Sequence, residues 1–153
     1  MKKNIVLFFL LISATSSFSQ SENDEIMKVV NGLFSAMRAS NAQGIVDCFT
    51  DAASMQSMSN GKDGKVLFST FLVADFASGM SKRAVGSADE RVLTRGLSIN
   101  INNGLASAWV PYEFYLDKKF SHCGIDIFTL VKKDGQWKIS NLTFNMIKDG
   151  CAN

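Results

Sequence analysis

Between Phe120 and Val131 apolar and polar positions alternate among β-branched and aromatic residues, which fits a strand and no helical repeat. Alternation places Phe120, His122, Gly124, Asp126, Phe128 and Leu130 on one face. Ser121, Cys123, Ile125, Ile127, Thr129 and Val131 take the other. The same period extends to both sides. Arg91 to Asn102 alternates, Asn103-Gly104 reads as a hairpin turn, and Leu105 to Leu116 is the next strand. Asp117-Lys118-Lys119 turns into the central strand and Lys133-Asp134-Gly135 turns out of it. Gln136 to Lys148 then closes an antiparallel meander. Pro111, the only proline, lies within a strand, which predicts an edge or a bulge there.

Upstream the period is helical. Ile26, Val29, Val30, Leu33, Phe34 and Met37 recur at helix spacing over Glu22 to Ala39. Ser21 is the expected N-cap, and Glu22, Asp24 and Glu25 suit the positive helix end. After Ser40-Asn41, a short helix is predicted over Ala42 to Phe49, burying Ile45, Val46 and Phe49. Asp51 to Ser59 alternates as a short strand, and Asn60 to Gly64 is a turn-rich loop. Lys65 to Met80 reads as a third helix, with Val66, Leu67, Phe71, Leu72, Phe76 and Met80 near one face. Helices followed by long hairpin-linked strands predict an α+β domain. A strongly bent sheet over those helices would enclose a cone-shaped hollow.

The first residues change the picture of where the chain works. Lys2 and Lys3 precede the apolar run Ile5 to Ile12 and the small residues Ser13 to Ser19, a secretory signal pattern. Residues 1–19 are therefore expected to be a signal peptide, and 20–153 one exported domain, periplasmic or extracellular. The apolar run is shorter than the ~20 residues of a membrane span, so no stable span is expected after cleavage. A net charge of +2 for the whole chain argues against nucleic acid as a partner. The three cysteines, Cys48, Cys123 and Cys151, would meet an oxidising compartment. Their odd number leaves one unpaired in a monomer. A Cys48–Cys151 bridge is one option, and Cys48 also reads as a small core residue. No spacing suggests a metal site, and no phosphate loop or nucleophile elbow suggests a cofactor or covalent chemistry.

Candidate chemistry centres on Asp126. A carboxylate between Gly124 and Phe128 on an apolar face is costly to bury without a partner. It is either a polar anchor with a raised pKa or a structural carboxylate bound to backbone or a nearby ring. His122, the only histidine, shares that face roughly 13 Å away along an extended strand. The two would not touch but could reach one cavity. On the neighbouring strand Trp109, Glu113 and Tyr115 share one parity and Tyr112 the other. Aromatics there serve a core or a ligand, and Glu113 pairs with a lysine or lines a pocket mouth. Met55, Met58, Met80 and Met146 could pad the hollow.

The order of helices and meander resembles the nuclear transport factor 2-like superfamily, with its SnoaL-like and ketosteroid isomerase families. The residues that carry the resemblance are Asn41 to Phe49 leading into Asp51-Ala52-Ala53, and the run from Gly124 to Ile139 ending Asp134-Gly-Gln-Trp-Lys-Ile. Together with the secretory signal pattern it points to an exported bacterial member, and it implies a cone-shaped, cystatin-like α+β fold of three N-terminal helices on a curved antiparallel sheet. It also implies a cavity between sheet and helices, and a homodimer formed through the sheet. Ketosteroid isomerases hold a protonated aspartic acid in that cavity, and the resemblance places it at Asp126. Their helix tyrosine falls near Leu33 and their carboxylate base near Ser57, and neither residue can abstract a proton. The expected function is small-molecule binding in an apolar cavity. Asp126, His122, Trp109, Glu113, Tyr115 and Phe128 are the candidate contacts, without metal or cofactor. The alternatives are an enzyme using Asp126 and His122 on a cyclic carbonyl substrate, and a dimeric interaction module without ligand.

Overall fold

The computed structural model describes residues 14–61, 63–148 and 151. Helix α1 spans Ala14–Arg38. Ser21 is therefore not an N-cap: no Gly or Pro interrupts the chain from Ala14 to Ser21, so the helix runs back through it. Of the expected leader, residues 1–13 lie outside the described residues. Ile26, Val30, Leu33, Phe34 and Met37 of α1 are buried, as their spacing predicts.

Helix α2, Ala42–Asp47, begins where Asn41 Oδ1 accepts the Gly44 N–H at 3.0 Å. It buries Ile45, whereas Val46 is 39% exposed, contrary to expectation. The helix stops before Phe49, which opens strand β1, Phe49–Asn60. The predicted third helix is shorter. Val66–Leu72 forms strand β2, and only Val73–Ser81 forms helix α3. The apolar residues of Val66–Leu72 lie on both faces, so they satisfied a helical template by chance. β-branched and aromatic content, and pairing with β1 from Val66–Asn60 to Leu72–Ser54, decide for a strand. The helical stripe proper is Val73, Ala77 and Met80.

The predicted strand over Arg91 to Asn102 is two, β3 (Ala88–Val92) and β4 (Ser98–Asn102). Both pair antiparallel with β5, Leu105–Leu116. Gly96, at φ +83°, sits in the break between them. Pro111 faces this break from β5, and its carbonyl accepts the Leu93 N–H at 2.8 Å. The residue lies inside the sheet, at a gap where a missing N–H leaves no ladder bond unmade. Strands β6 (Lys119–Lys133) and β7 (Gln136–Met146) complete a seven-stranded sheet. Its order is β2-β1-β7-β6-β5-β3, with β4 alongside β5 and β1 parallel to β7. The hairpins turn where expected. Asn103-Gly104, Asp117-Lys118 and Asp134-Gly135 all adopt positive φ at both positions, the twist that favours tight hairpins.

The β5–β6 register shifts between Phe114 and Tyr115, so His122 pairs with Phe114 but Phe120 pairs with Tyr115. This irregularity turns Phe120 away from the face of Asp126, where simple alternation had put it. Cys123 and Cys151 form the disulfide and Cys48 is free, so a Cys48–Cys151 bridge is ruled out.

Candidate functional site

Direct partners in an antiparallel ladder project from the same face. Three rows therefore face the helices together: Glu90–Phe114–His122, Val92–Tyr112–Gly124 and Val110–Asp126–Phe144. Between these rows and the helices is a hollow of about 180 Å³. Leu33, Phe34 and Met37 line it from α1, and Phe76 and Met80 from α3. Met55, Phe114, Leu142, Phe144 and Met146 line it from the sheet. The polar groups that reach it are Glu90, Tyr112, His122, Asp126 and, from the exposed turn after α3, Arg83.

Among the described residues Asp126 and Glu90 are the two buried carboxylic acids, 2% and 9% exposed. Their carboxyl groups interact with each other. Burial, then the charge and hydrogen bond of Glu90, push Asp126 well above the carboxyl range. Burial raises Glu90 to about 7, against the hydrogen bond from Asp126, which lowers it. Asp126 thus keeps its proton and donates to Glu90, and the pair shares a single negative charge above neutrality. Asp126 Oδ2 is buried without a hydrogen-bond partner.

The obvious neighbouring donor is committed elsewhere. Tyr112 O–H donates to the Asn145 carbonyl at 2.9 Å, and burial drives its phenol pKa upward. Gly124 makes that arrangement sterically feasible. A Cβ there would sit 1.9 Å from the Asn145 carbonyl oxygen, so only glycine lets the two backbones approach. Asn145 Oδ1 also accepts the Ile125 N–H at 2.7 Å. His122 stacks on Phe114 with ring centroids 5.0 Å apart and meets Tyr112 edge-on. Burial, then the charge of Lys148, lower its pKa, so it is neutral at pH 7. Its Nδ1 pairs with the Ser121 hydroxyl at 3.0 Å.

Asp126 and His122 therefore line one hollow without touching, as alternation along the strand indicated. The remaining candidates do not join them. Phe128 is buried against Phe34, centroids 6.3 Å apart, in the core and off the hollow's wall. Trp109, Glu113 and Tyr115 lie on the opposite face, because their parity is that of Ile127 and Cys123 and not of Asp126. Trp109 is 46% exposed. Tyr115 O–H donates to Glu113 at 2.9 Å beneath the Arg91 guanidinium, 4.1 Å from the ring centroid. Glu113 thus pairs with a tyrosine and not with a lysine. Met55, Met80 and Met146 line the hollow and Met58 does not. Leu33 is on the wall, where the isomerase resemblance places a tyrosine, and Ser57 is not.

Glu90 was missed by sequence reasoning. The alternation read from sequence starts this strand at Arg91, three residues after β3 begins at Ala88, although Glu90 precedes Val92 by two and so shares its face. Tyr112 was assigned the right parity but no role, and Arg83 and Met37 gave no signal beyond an exposed cation and a helical stripe. Among the described residues, no cluster of three His, Cys, Asp or Glu side chains could hold a metal ion.

The profile of the family described as "Putative lumazine-binding" matches residues 21–145. None of the curated proteins matches the chain. Many solved structures do. An NTF2-like protein of unknown function from Methylobacillus flagellatus KT is 22% identical, with 84% of this chain and 94% of that one covered and a TM-score of 0.61. An NTF2-like protein with a cystatin-like fold from Novosphingobium aromaticivorans is 6% identical, covering 91% and 94%, with a TM-score of 0.65. A protein described as "Putative Scytalone Dehydratase" from the same species is 14% identical, covering 91% and 93%, with a TM-score of 0.65. At these identities the likeness establishes the fold and leaves the chemistry to the site.

Proposed function

The chain belongs to the family described as "Putative lumazine-binding", within the NTF2-like superfamily, and from that premise we propose that it is an exported small-molecule-binding domain. The observation that carries this reading is Asp126 Oδ2, buried without a partner beside a hollow walled mainly by Leu, Phe and Met side chains. An orphaned polar atom of this kind costs free energy that a bound ligand's polar group recovers. Apolar walls supply affinity and Asp126 fixes orientation. Native mass spectrometry of protein purified from an exporting host tests the proposal. A retained small adduct that disappears in Leu33→Trp, which fills the hollow, is the expected result. An adduct that persists in that variant, or bare protein that also fails to take up any member of a metabolite extract, would sink it.

Export is supported by Lys2, Lys3 and the apolar run after them, and by the Cys123–Cys151 disulfide, a bond that persists in oxidising compartments. The mass of the secreted chain tests it, cleavage after Ser19 being expected. Among the described residues, no helix is long and apolar enough to cross a membrane. Trp109 and Ile127 are paired and exposed on the outer sheet face, which supports a dimer through that face. Sedimentation of Trp109→Glu against the parent tests it.

One observation favours an enzyme as the second reading. Glu90, at about 7, is poised to exchange a proton beside an acid that stays protonated. The acid/base partner of Asp126 in that case is Glu90, in place of the His122 expected from sequence. In Asp126→Asn, lost turnover of a cyclic carbonyl compound with retained binding would identify an enzyme, and unchanged turnover would reject the role.

A further inference from the structure

The binding-site reading leaves the chemistry of the ligand's polar end open, and the charges around the carboxyl pair define it. Glu90 comes from β3 and Asp126 from β6, and no ion pair among the described residues includes either. The ionisation of both is governed by burial and by each other, with no cation among the causes. Arg83 reaches the rim from an exposed turn. The Tyr112 hydroxyl is committed to Asn145, and His122 is uncharged at neutral pH. From α1, α3, β1 and β7 only Leu, Phe and Met side chains face the hollow. Among the described residues a negative charge on the pair therefore has no ion-pair partner, the guanidinium that lines the hollow being Arg83 in its exposed turn, and an unpaired buried charge is costly.

We propose that the Glu90–Asp126 pair, with its unpartnered Oδ2, is the receptor for a nitrogenous cation, an ammonium or amidinium carried on a single-ring apolar body. This rests on the reading of the hollow as a binding site. The ring size follows from the volume of about 180 Å³, since a dry cavity of about 150 Å³ holds benzene. The head group follows from the acceptors. Two carboxyl groups side by side present oxygens to N–H donors, and a cation supplies both the donors and the missing charge. Glu90 ionises at about 7, so the preference is a property of the site above neutrality.

Isothermal titration of the mature, disulfide-bonded protein with benzamidine and with its neutral near-isostere benzamide tests this. At about pH 8, benzamidine is expected to bind at least about tenfold more tightly. At about pH 6, Glu90 is mostly protonated and the advantage should shrink to about twofold or less. Glu90→Gln, checked for folding by thermal unfolding, should show the small advantage at both pH values. The wild-type pH comparison stands even if that variant fails to fold. Benzamide binding as well as benzamidine at about pH 8 overturns the cation preference, and an advantage that survives at about pH 6 overturns its assignment to the Glu90–Asp126 pair; either leaves the binding-site reading intact. Failure of both probes to bind at any pH overturns both.

Discussion

Asp89 and Glu90 are neighbours in sequence on one edge strand, yet they meet opposite environments. Asp89 is partly buried, which would raise its pKa, but hydrogen bonds and charge from Arg38 and Arg91 prevail and hold it below the usual carboxylate range. Glu90 turns inward, makes no ion pair among the described residues and meets Asp126, and burial raises its pKa. Burial acts on both, and what differs is whether a guanidinium is in reach. Around Asp89 the outer face is a closed ring of compensation, with Arg91 also covering Tyr115 and Tyr115 bonded to Glu113. The inner pair is uncompensated. The lesson is that a site for a ligand is recognised less by its residue types than by what the protein has left unpaired.

The strongest way to break the inner side is at Gly124. A methyl group there collides with the Asn145 backbone, so β7 must move and both bonds to Asn145, from Tyr112 and Ile125, are put at risk. Overpacking and one lost bond together predict that Gly124→Ala destabilises by about 3 kcal/mol. Urea unfolding checks this, and a loss no larger than that of an outer-face substitution would show that the close approach is not structural.

Glu90→Gln comes next and has the opposite sign. A carboxyl raised in the folded state contributes stability that is full below its unfolded value and lost as pH rises through its folded value. For Glu90 that window runs from 4.5 to about 7. Near pH 8 the amide should therefore be more stable than the parent by roughly 3 kcal/mol, with the difference falling below about 1 kcal/mol near pH 5. Urea midpoints across that range decide it, and a difference that does not change with pH would mean that Glu90 ionises as an ordinary carboxyl. Arg38→Met tests the outer partner and should show the mirror image. Asp89 is lowered when folded, so its contribution is present above the unfolded value and lost as pH falls through the folded one. Arg38 is nearly half exposed, so the cost at neutral pH should be only about 1 kcal/mol and should fade in acid.

The contrast between the faces was legible in part. Alternation within β6 put Asp126 inward, and turn residues fixed β5 to β7 almost to the residue, because tight hairpins require positive φ at known residue types. Two kinds of information were missing. Strand identity failed for Val66–Leu72, since a run apolar on both faces satisfies either period and pairing with β1 settles it. Cross-strand register failed for Trp109, Glu113 and Tyr115. Their shared parity was readable, but which face it matched depends on the partner strand, and Trp109 pairs with Ile127 rather than Asp126. Glu90 needed both a strand boundary and the distant Asp126 to acquire meaning.

The smallest expected effects discriminate most sharply between sequence-based and structural assignments of the site. Tyr115→Phe removes the hydroxyl that donates to Glu113, and Glu113→Gln removes the charge that accepts it. Both side chains project from the face away from Asp126, so neither change alters the hollow's lining or the uncompensated pair. Binding of benzamidine at about pH 8 should stay within about twofold of the parent in both variants. Charge at that distance is screened by solvent on the outer face, whereas Glu90→Gln acts on the pair directly. If Glu113→Gln weakened binding as much as Glu90→Gln, the outer acid would be part of the ligand's electrostatic environment after all, and the division between a compensated and an uncompensated face would fall.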